Sequence, residues 1–147
     1  MAKGEASHAE GSGSIAIGFA SHAENGGTRA SGDYSHAQGD TTTASGSSSH
    51  ALGSYTIAGG RDSYAGGNTS IASGSTSFVH GNFSIAVGDS TIVLGSSITG
   101  ATANTAYVNK LNIKSLSVYA DNAAATSAGL EVGTVYMTST GQLMIRY

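Results

Sequence analysis

His8, His22, His36 and His50 recur every fourteen residues, and Glu10 and Glu24 stand two places after the first two of them. Imidazole and carboxylate are side chains that hold zinc-class ions and move protons. Residues two apart on a strand share a side, so His8 faces Glu10 and His22 faces Glu24, while Gln38 replaces the carboxylate beside His36. Histidine rings contributed by three chains could bind a metal if this face lined a threefold axis. The plainer expectation is an outward polar ladder of His8, Glu10, His22, Glu24, His36 and His50, with His paired to Glu and no metal or other cofactor. Catalysis has less support. The Ser before each of these histidines points to the opposite face of the strand and cannot form a nucleophile–base pair with it. No Gly-rich unit carries a Walker lysine or leads into a helix, and none has the Asp pattern of calcium-binding nonapeptide rolls. The chain reads as non-enzymatic.

What spaces the histidines is a seven-residue repeat. From Ser7 to Ser97 the chain divides into thirteen heptads whose first position is always Ser or Thr. The third is Ala in eleven, with Val79 and Val93 as exceptions, and the fifth is Gly in twelve, with Asn25 as the exception. A coiled coil is excluded, because no heptad offers two large apolar positions and each carries an in-register Gly. Small residues at positions 1, 3 and 5 against variable ones at 2 and 4 give the period of a strand. The Gly marks a turn with positive φ, for which Asn is the best substitute.

Strands this short must stack. The His column continues as Tyr64, Phe78 and Ile92, while alternate heptads supply Ile15, Arg29, Thr43, Ile57, Ile71 and Ile85. Two heptads therefore make one fourteen-residue coil with a strand in each of two sheets: a mainly β, parallel β-roll. At a rise of about 4.8 Å per coil, six and a half coils span roughly 30 Å. An Ala-lined interior buries little apolar area, and at about 25 cal/mol per Å² the roll needs further burial from outside. The face bearing Ile15, Ile17, Ile57, Ile71, Ile85 and Val87 is the expected interface, and closed threefold association would hide it on every copy.

The units SIAIG (14–18), SIAVG (84–88) and the SHAEG-type repeats resemble the head repeats of trimeric autotransporter adhesins and related repeats of phage and prophage fibres. The resemblance covers about residues 1–97. It implies a homotrimeric, left-handed parallel β-roll in which the aliphatic pair of the SIAIG unit packs towards the trimer centre. It is specific in fold and weak in function, since heads of this class bind many ligands.

Beyond Ser97 the beat lapses, with Ile98, Gly100 and Thr102 at Ser/Thr, Ala and Gly positions. The division expected is therefore a repeat domain over 1–97 and a small α+β capping and trimerisation unit over 98–147. In the latter, 106–108 and 111–118 read as strands and 122–128 as a helix capped by Asp121 and ended by Gly129. A hairpin is expected of 134–138 and 142–147. The segment 119–147 resembles a tail at the C-termini of many phage structural proteins. At the other end, Ala2 and Gly4 already fall in register, so a preceding region or another virion protein is expected to cover the first coil.

The chain has 147 residues, 22 Gly, no Pro, Cys or Trp, and a formal net charge of −3. Without a basic patch, nucleic acid and anionic membranes are poor partners. No secretory signal opens the chain, no apolar run reaches spanning length, and no anchoring β-barrel is recognisable.

Positions 6 and 7 project from the edges of the roll. They include Phe19, Asp33, Tyr34, Tyr55, Arg61, Asp62, Asn82, Phe83 and Asp89. Aromatic rings beside acids suit stacking on sugars and hydrogen bonding to their hydroxyls. Phe19, Tyr55 and Phe83 suit packing between chains at least as well, so Asp33, Tyr34, Arg61 and Asp62 are the receptor-binding candidates. Three readings follow. The first is a trimeric fibre segment of a phage or prophage particle that recognises a glycan or protein receptor. The second is the head of a bacterial surface adhesin. The third is a monomeric flat-faced solenoid of the ice-binding kind, which would want Thr-x-Thr rows that only Thr41–Thr43 approaches. The C-terminal segment favours the first.

Overall fold

A computed structural model of the chain describes residues 1–113 and 115–147. They form two compact units, Met1–Asn109 and Lys110–Tyr147. The first is a two-sided parallel β-roll. Among the described residues, one sheet has eight strands, from His8–Ala9 through His22–Gly26, His36–Asp40, His50–Ser54, Tyr64–Asn68, Phe78–Asn82 and Ile92–Ser96 to Ala106–Val108. The opposing sheet has seven two-residue strands, Ile15–Ala16, Arg29–Ala30, Thr43–Ala44, Ile57–Ala58, Ile71–Ala72, Ile85–Ala86 and Thr99–Gly100. Each strand pairs with its equivalent fourteen residues on, so His22 lies against His36 and Ile57 against Ile71.

The interior follows from the repeat. Position 3 forms a fully buried column of alanines from Ala16 to Ala86, widened by Val79 and Val93. Position 1 is buried from Ser14 to Thr91, and its hydroxyls are mostly satisfied by backbone carbonyls. Ser21 Oγ donates to the Gly18 carbonyl at 2.8 Å and Ser63 Oγ to that of Gly60 at 2.6 Å. Ser84 Oγ instead crosses to the Gly95 carbonyl at 2.8 Å. A buried hydroxyl is tolerated when bonded, which suits Ser and Thr to most of this column; Thr42, Ser49 and Thr56 are buried there without a partner.

Position 5 is Gly for two different reasons, where the sequence suggested one. In the eight-stranded sheet the turn does need positive φ: Asn25 has φ +76° and Gly39 +117°. In the other sheet the glycines are not in that region. There a Cβ on Gly60 would strike the Gly74 carbonyl of the next coil, 2.5 Å from its carbon and 3.0 Å from the Ser73 oxygen. The left-handed conformation falls instead on position 7 of all thirteen heptads, including bulky Tyr34, Tyr55 and Phe83. An L-residue there costs about 1–2 kcal/mol. A ladder of hydrogen bonds between coils offsets it, such as Tyr34 N–H to the Phe19 carbonyl at 2.8 Å and Tyr55 N–H to that of Asp40 at 2.9 Å.

The roll continues to Asn109, twelve residues beyond the lapse of the heptad at Ser97. Thr99–Gly100 and Ala106–Val108 complete the two sheets. Compensation explains how the fold outlasts the pattern. Gly100 takes an Ala position, and the side chains of Thr91, Val93 and Tyr107 fill the space where a Cβ on Gly100 would sit, each 2.8 Å from it. Asn109 then closes the last turn, accepting from Ser96 N–H at 2.6 Å and donating to the Ser96 carbonyl at 3.2 Å.

The second unit holds a helix, Asn122–Ser127, whose Asp121 cap accepts from Ala124 N–H at 2.8 Å. It ends at Ala128 with Gly129 at φ +79°. Val135–Met137 and Leu143–Ile145 form the expected antiparallel hairpin. The strand expected at 106–108 is present, as Ala106–Val108 at the end of the eight-stranded sheet. One strand assignment is corrected: the alternating stretch 111–118 forms no strand among its described residues (Lys114 lies outside them). Only Val118 pairs, as an isolated parallel bridge to Met137. Pairing there is confined to the end of the stretch, where Met137 N–H donates to the Ser117 carbonyl at 3.0 Å.

Candidate functional site

The site-bearing surfaces are the outer faces of the two sheets and the two edges where coils turn. Positions 2 and 4 point outward because 1, 3 and 5 are consumed by the core and turns. On the eight-stranded sheet this produces a continuous ring stack. His22 and His36 are parallel at 4.8 Å between centroids, His36 and His50 lie 4.6 Å apart, and Tyr64 stacks on Phe78 at 4.7 Å. His8 meets Glu10 at 3.6 Å within its strand, and His36 Nε2 lies 3.2 Å from Glu24 Oε1 of the preceding coil. Glu24 thus reaches His36 of the next coil, where the sequence reading set it beside His22. His50 sits deeper, and burial, with a smaller contribution from the charge of His36, lowers its pKa below the ordinary imidazole value.

The receptor-binding candidates share one edge. Asp33, Tyr34, Arg61 and Asp62 are all exposed where the seven-stranded sheet turns into its partner, and Ser47 and Ser48 occupy the coil between them. The backbone bonds Ser48 N–H to Asp33 O at 2.8 Å and Asp62 N–H to Ser47 O at 2.9 Å fix that succession. Phe19, one coil before, packs edge-on against Tyr34 at 5.4 Å and donates its N–H to Asp33 Oδ1 at 2.9 Å. Arg61 Nε lies 3.5 Å from Asp62 Oδ2. An aromatic corner and an ion pair thus stand two coils apart, about 10 Å, close to the span of a disaccharide-sized ligand. Tyr55 and Phe83 stand on the opposite edge.

Among the interface candidates, Ile57, Ile71 and Ile85 are contiguous in register. Ile15 is separated from them by Arg29 and Thr43. Val87 is half exposed at 50 % and Ile57 at 41 %. The sequence reading missed a second apolar patch on the other sheet, where Phe78, Ile92, Leu94 and Val108 are exposed and adjacent. Its signal was present in position 4, which changes from Glu10, Glu24 and Gln38 to Leu52 and Leu94. The Thr41–Thr43 run is no flat row, since Thr41 sits in a left-handed turn at φ +54° while Thr43 lies in a strand.

Residues 1–24, 37–63 and 65–91, more than half of the chain, match the YadA head domain repeat, in two copies. The chain belongs to that family. No curated protein matches it significantly. A YadA-type head repeat accounts for the recurring SHAEG and SIAIG units and for the stacked parallel coils. In this YadA-type chain the match stops at residue 91, before the Gly100–Tyr107 substitution that closes the roll. Among the described residues, no helix is long and apolar enough to cross a membrane.

Proposed function

We propose that this chain is a segment of a homotrimeric attachment fibre, without enzymatic activity, that recognises a glycan or protein on a cell surface. The observation that carries the reading is the pair of apolar patches on opposite faces of a roll with almost no large side chains inside. A cyclic trimer joins a patch on each chain to a different patch on the next, and so can cover both at once. Ile57, Ile71, Ile85 and Val87 on one face and Phe78, Ile92, Leu94 and Val108 on the other supply those two surfaces. Membership of the YadA head repeat family agrees with an adhesive head. The edge bearing Phe19, Asp33, Tyr34, Arg61 and Asp62 then stays open for a receptor.

Two settings fit this reading. A phage or prophage fibre, joined to other virion proteins at its N-terminal end, is supported by the likeness of 119–147 to the tails of phage structural proteins. A bacterial surface adhesin is supported by the head repeats themselves. Fluorescently labelled chain applied to a glycan array, to intact bacteria and to animal cells tests both. Retention on bacteria supports the fibre, and retention on animal cells supports the adhesin. In either case Tyr34→Ala with Arg61→Ala reduces binding while circular dichroism stays unchanged. Absence of binding to all three probes, or binding indifferent to these substitutions, would count against the assigned edge.

A further inference from the structure

We propose that His22, Glu24 and His36 form a binding site for a divalent transition-metal ion, with zinc the best match. The register pairs His22 with His36 and Glu24 with Gln38, which sets Glu24 diagonally beside the His36 ring. One ligand atom from each of the three lies within 4.8 Å of the others. Tetrahedral zinc with bonds of about 2.0–2.1 Å holds its ligands roughly 3.3 Å apart. His36 Nε2 and Glu24 Oε1, at 3.2 Å, already have that separation. The His22 ring lies parallel to His36 at 4.8 Å, so it must turn out of that stack about χ2, a torsion with a broad well, to aim a nitrogen at the ion.

Two further features bear on this trio. His22 Nε2 is buried and has no hydrogen-bond partner; His50 Nε2 shares that state, but only His22 has a carboxylate and a second imidazole within reach to complete a ligand set. The carboxylates are also confined to one end. Position 4 holds Glu10 and Glu24 beside the first histidines, then Gln38 and Leu52, so the His36–His50 pair has no acid to complete a similar set. His8, Glu10 and His22 repeat the geometry but share His22, and His8 and Glu10 are exposed. The two trios compete for one ring, and the less exposed one takes the ion. Two imidazoles and a carboxylate favour zinc, nickel or copper over calcium or magnesium. Binding keeps both imidazoles neutral and displaces the proton of the His36–Glu24 hydrogen bond to the far ring nitrogen or to water. All three ligands come from one chain, so the site does not depend on assembly.

Titration calorimetry of the chelator-stripped intact chain with zinc chloride, in a non-coordinating buffer, tests the assignment. Saturable uptake of one zinc ion per chain is expected. Glu24→Gln and His36→Tyr should each weaken it by at least about tenfold, whereas His50→Tyr should change it by less than about twofold. Gln38 and Tyr64 already occupy these two columns, so the substitutions suit the fold, and circular dichroism verifies it. No saturable uptake would overturn the site, as would unchanged affinity in Glu24→Gln or His36→Tyr, or an equal loss in His50→Tyr.

Discussion

Adjacent glycines at 59 and 60 should respond in opposite directions to the same methyl group. At Gly60 an added Cβ would collide with the Gly74 carbonyl, 2.5 Å from its carbon, and only movement of the next coil relieves it. Restoring ordinary contact requires about 1 Å of separation between the two coils. Three bonds that span them stretch accordingly: Gly59 N–H to Ala72 O at 2.8 Å, Gly60 N–H to Ala72 O at 3.1 Å and Thr76 N–H to Arg61 O at 2.7 Å. At about 1 kcal/mol net for each, their loss amounts to ~3 kcal/mol. The reduced flexibility of the unfolded chain returns about 0.5–1 kcal/mol, which leaves Gly60→Ala destabilised by about 2–3 kcal/mol. At Gly59 the added Cβ meets nothing nearer than 3.8 Å, and φ is not positive. Gly59→Ala therefore keeps only the favourable term, about 0.5–1 kcal/mol. Urea unfolding followed by circular dichroism on both variants reads the difference. Equal midpoints for the two, or a Gly60→Ala variant as stable as the parent, would refute the explanation of the position-5 glycines by coil-to-coil contact.

Other consequences follow from single features. Val79→Ala leaves an unfilled volume in a column already made of alanine and should cost about 1–2 kcal/mol in the same urea assay. Asp121→Ala removes the cap on Ala124 N–H; a loss of about 1 kcal/mol should appear as faster amide exchange over 122–127. His50 has a lowered pKa, so as pH falls below the ordinary imidazole value of about 6.5 the unfolded chain takes up its proton first. Its contribution is present above that pH and is lost as pH falls towards the folded pKa. The stability of the parent relative to His50→Tyr should therefore fall between pH 7.5 and pH 5; a relative stability that rises on acidification would reverse the sign of the argument.

Much of the roll was legible because each position in its heptad has one geometric duty. The Ala column, the buried Ser/Thr and the alternation of two sheets all follow from places that accept only a narrow range of small residues. What the repeat could not show lay in backbone conformation and compensation. Position 7 takes Ala20, Tyr34, Thr41 and Asp62 alike, because the left-handed turn is held by inter-coil hydrogen bonds and not by residue type. The extension to Asn109 depends on Thr91, Val93 and Tyr107 together filling the space over Gly100, an exchange that erases the pattern while preserving the volume. In the C-terminal unit, alternation over 111–118 suggested a strand, yet a strand needs a partner in register as well as a face. The edge candidates were visible as projecting positions. Their gathering on one edge, and the second apolar patch around Phe78 and Leu94, became apparent only with the coils stacked.

The central claim is that two apolar faces on a thinly filled roll are covered by two further copies of the chain. Multi-angle light scattering of the intact protein in dilute solution measures this directly. The account predicts a mass three times that of the chain, reduced by a Leu94→Lys, Ile71→Lys double substitution that charges both faces. A parent protein that stays monomeric at every concentration would contradict it.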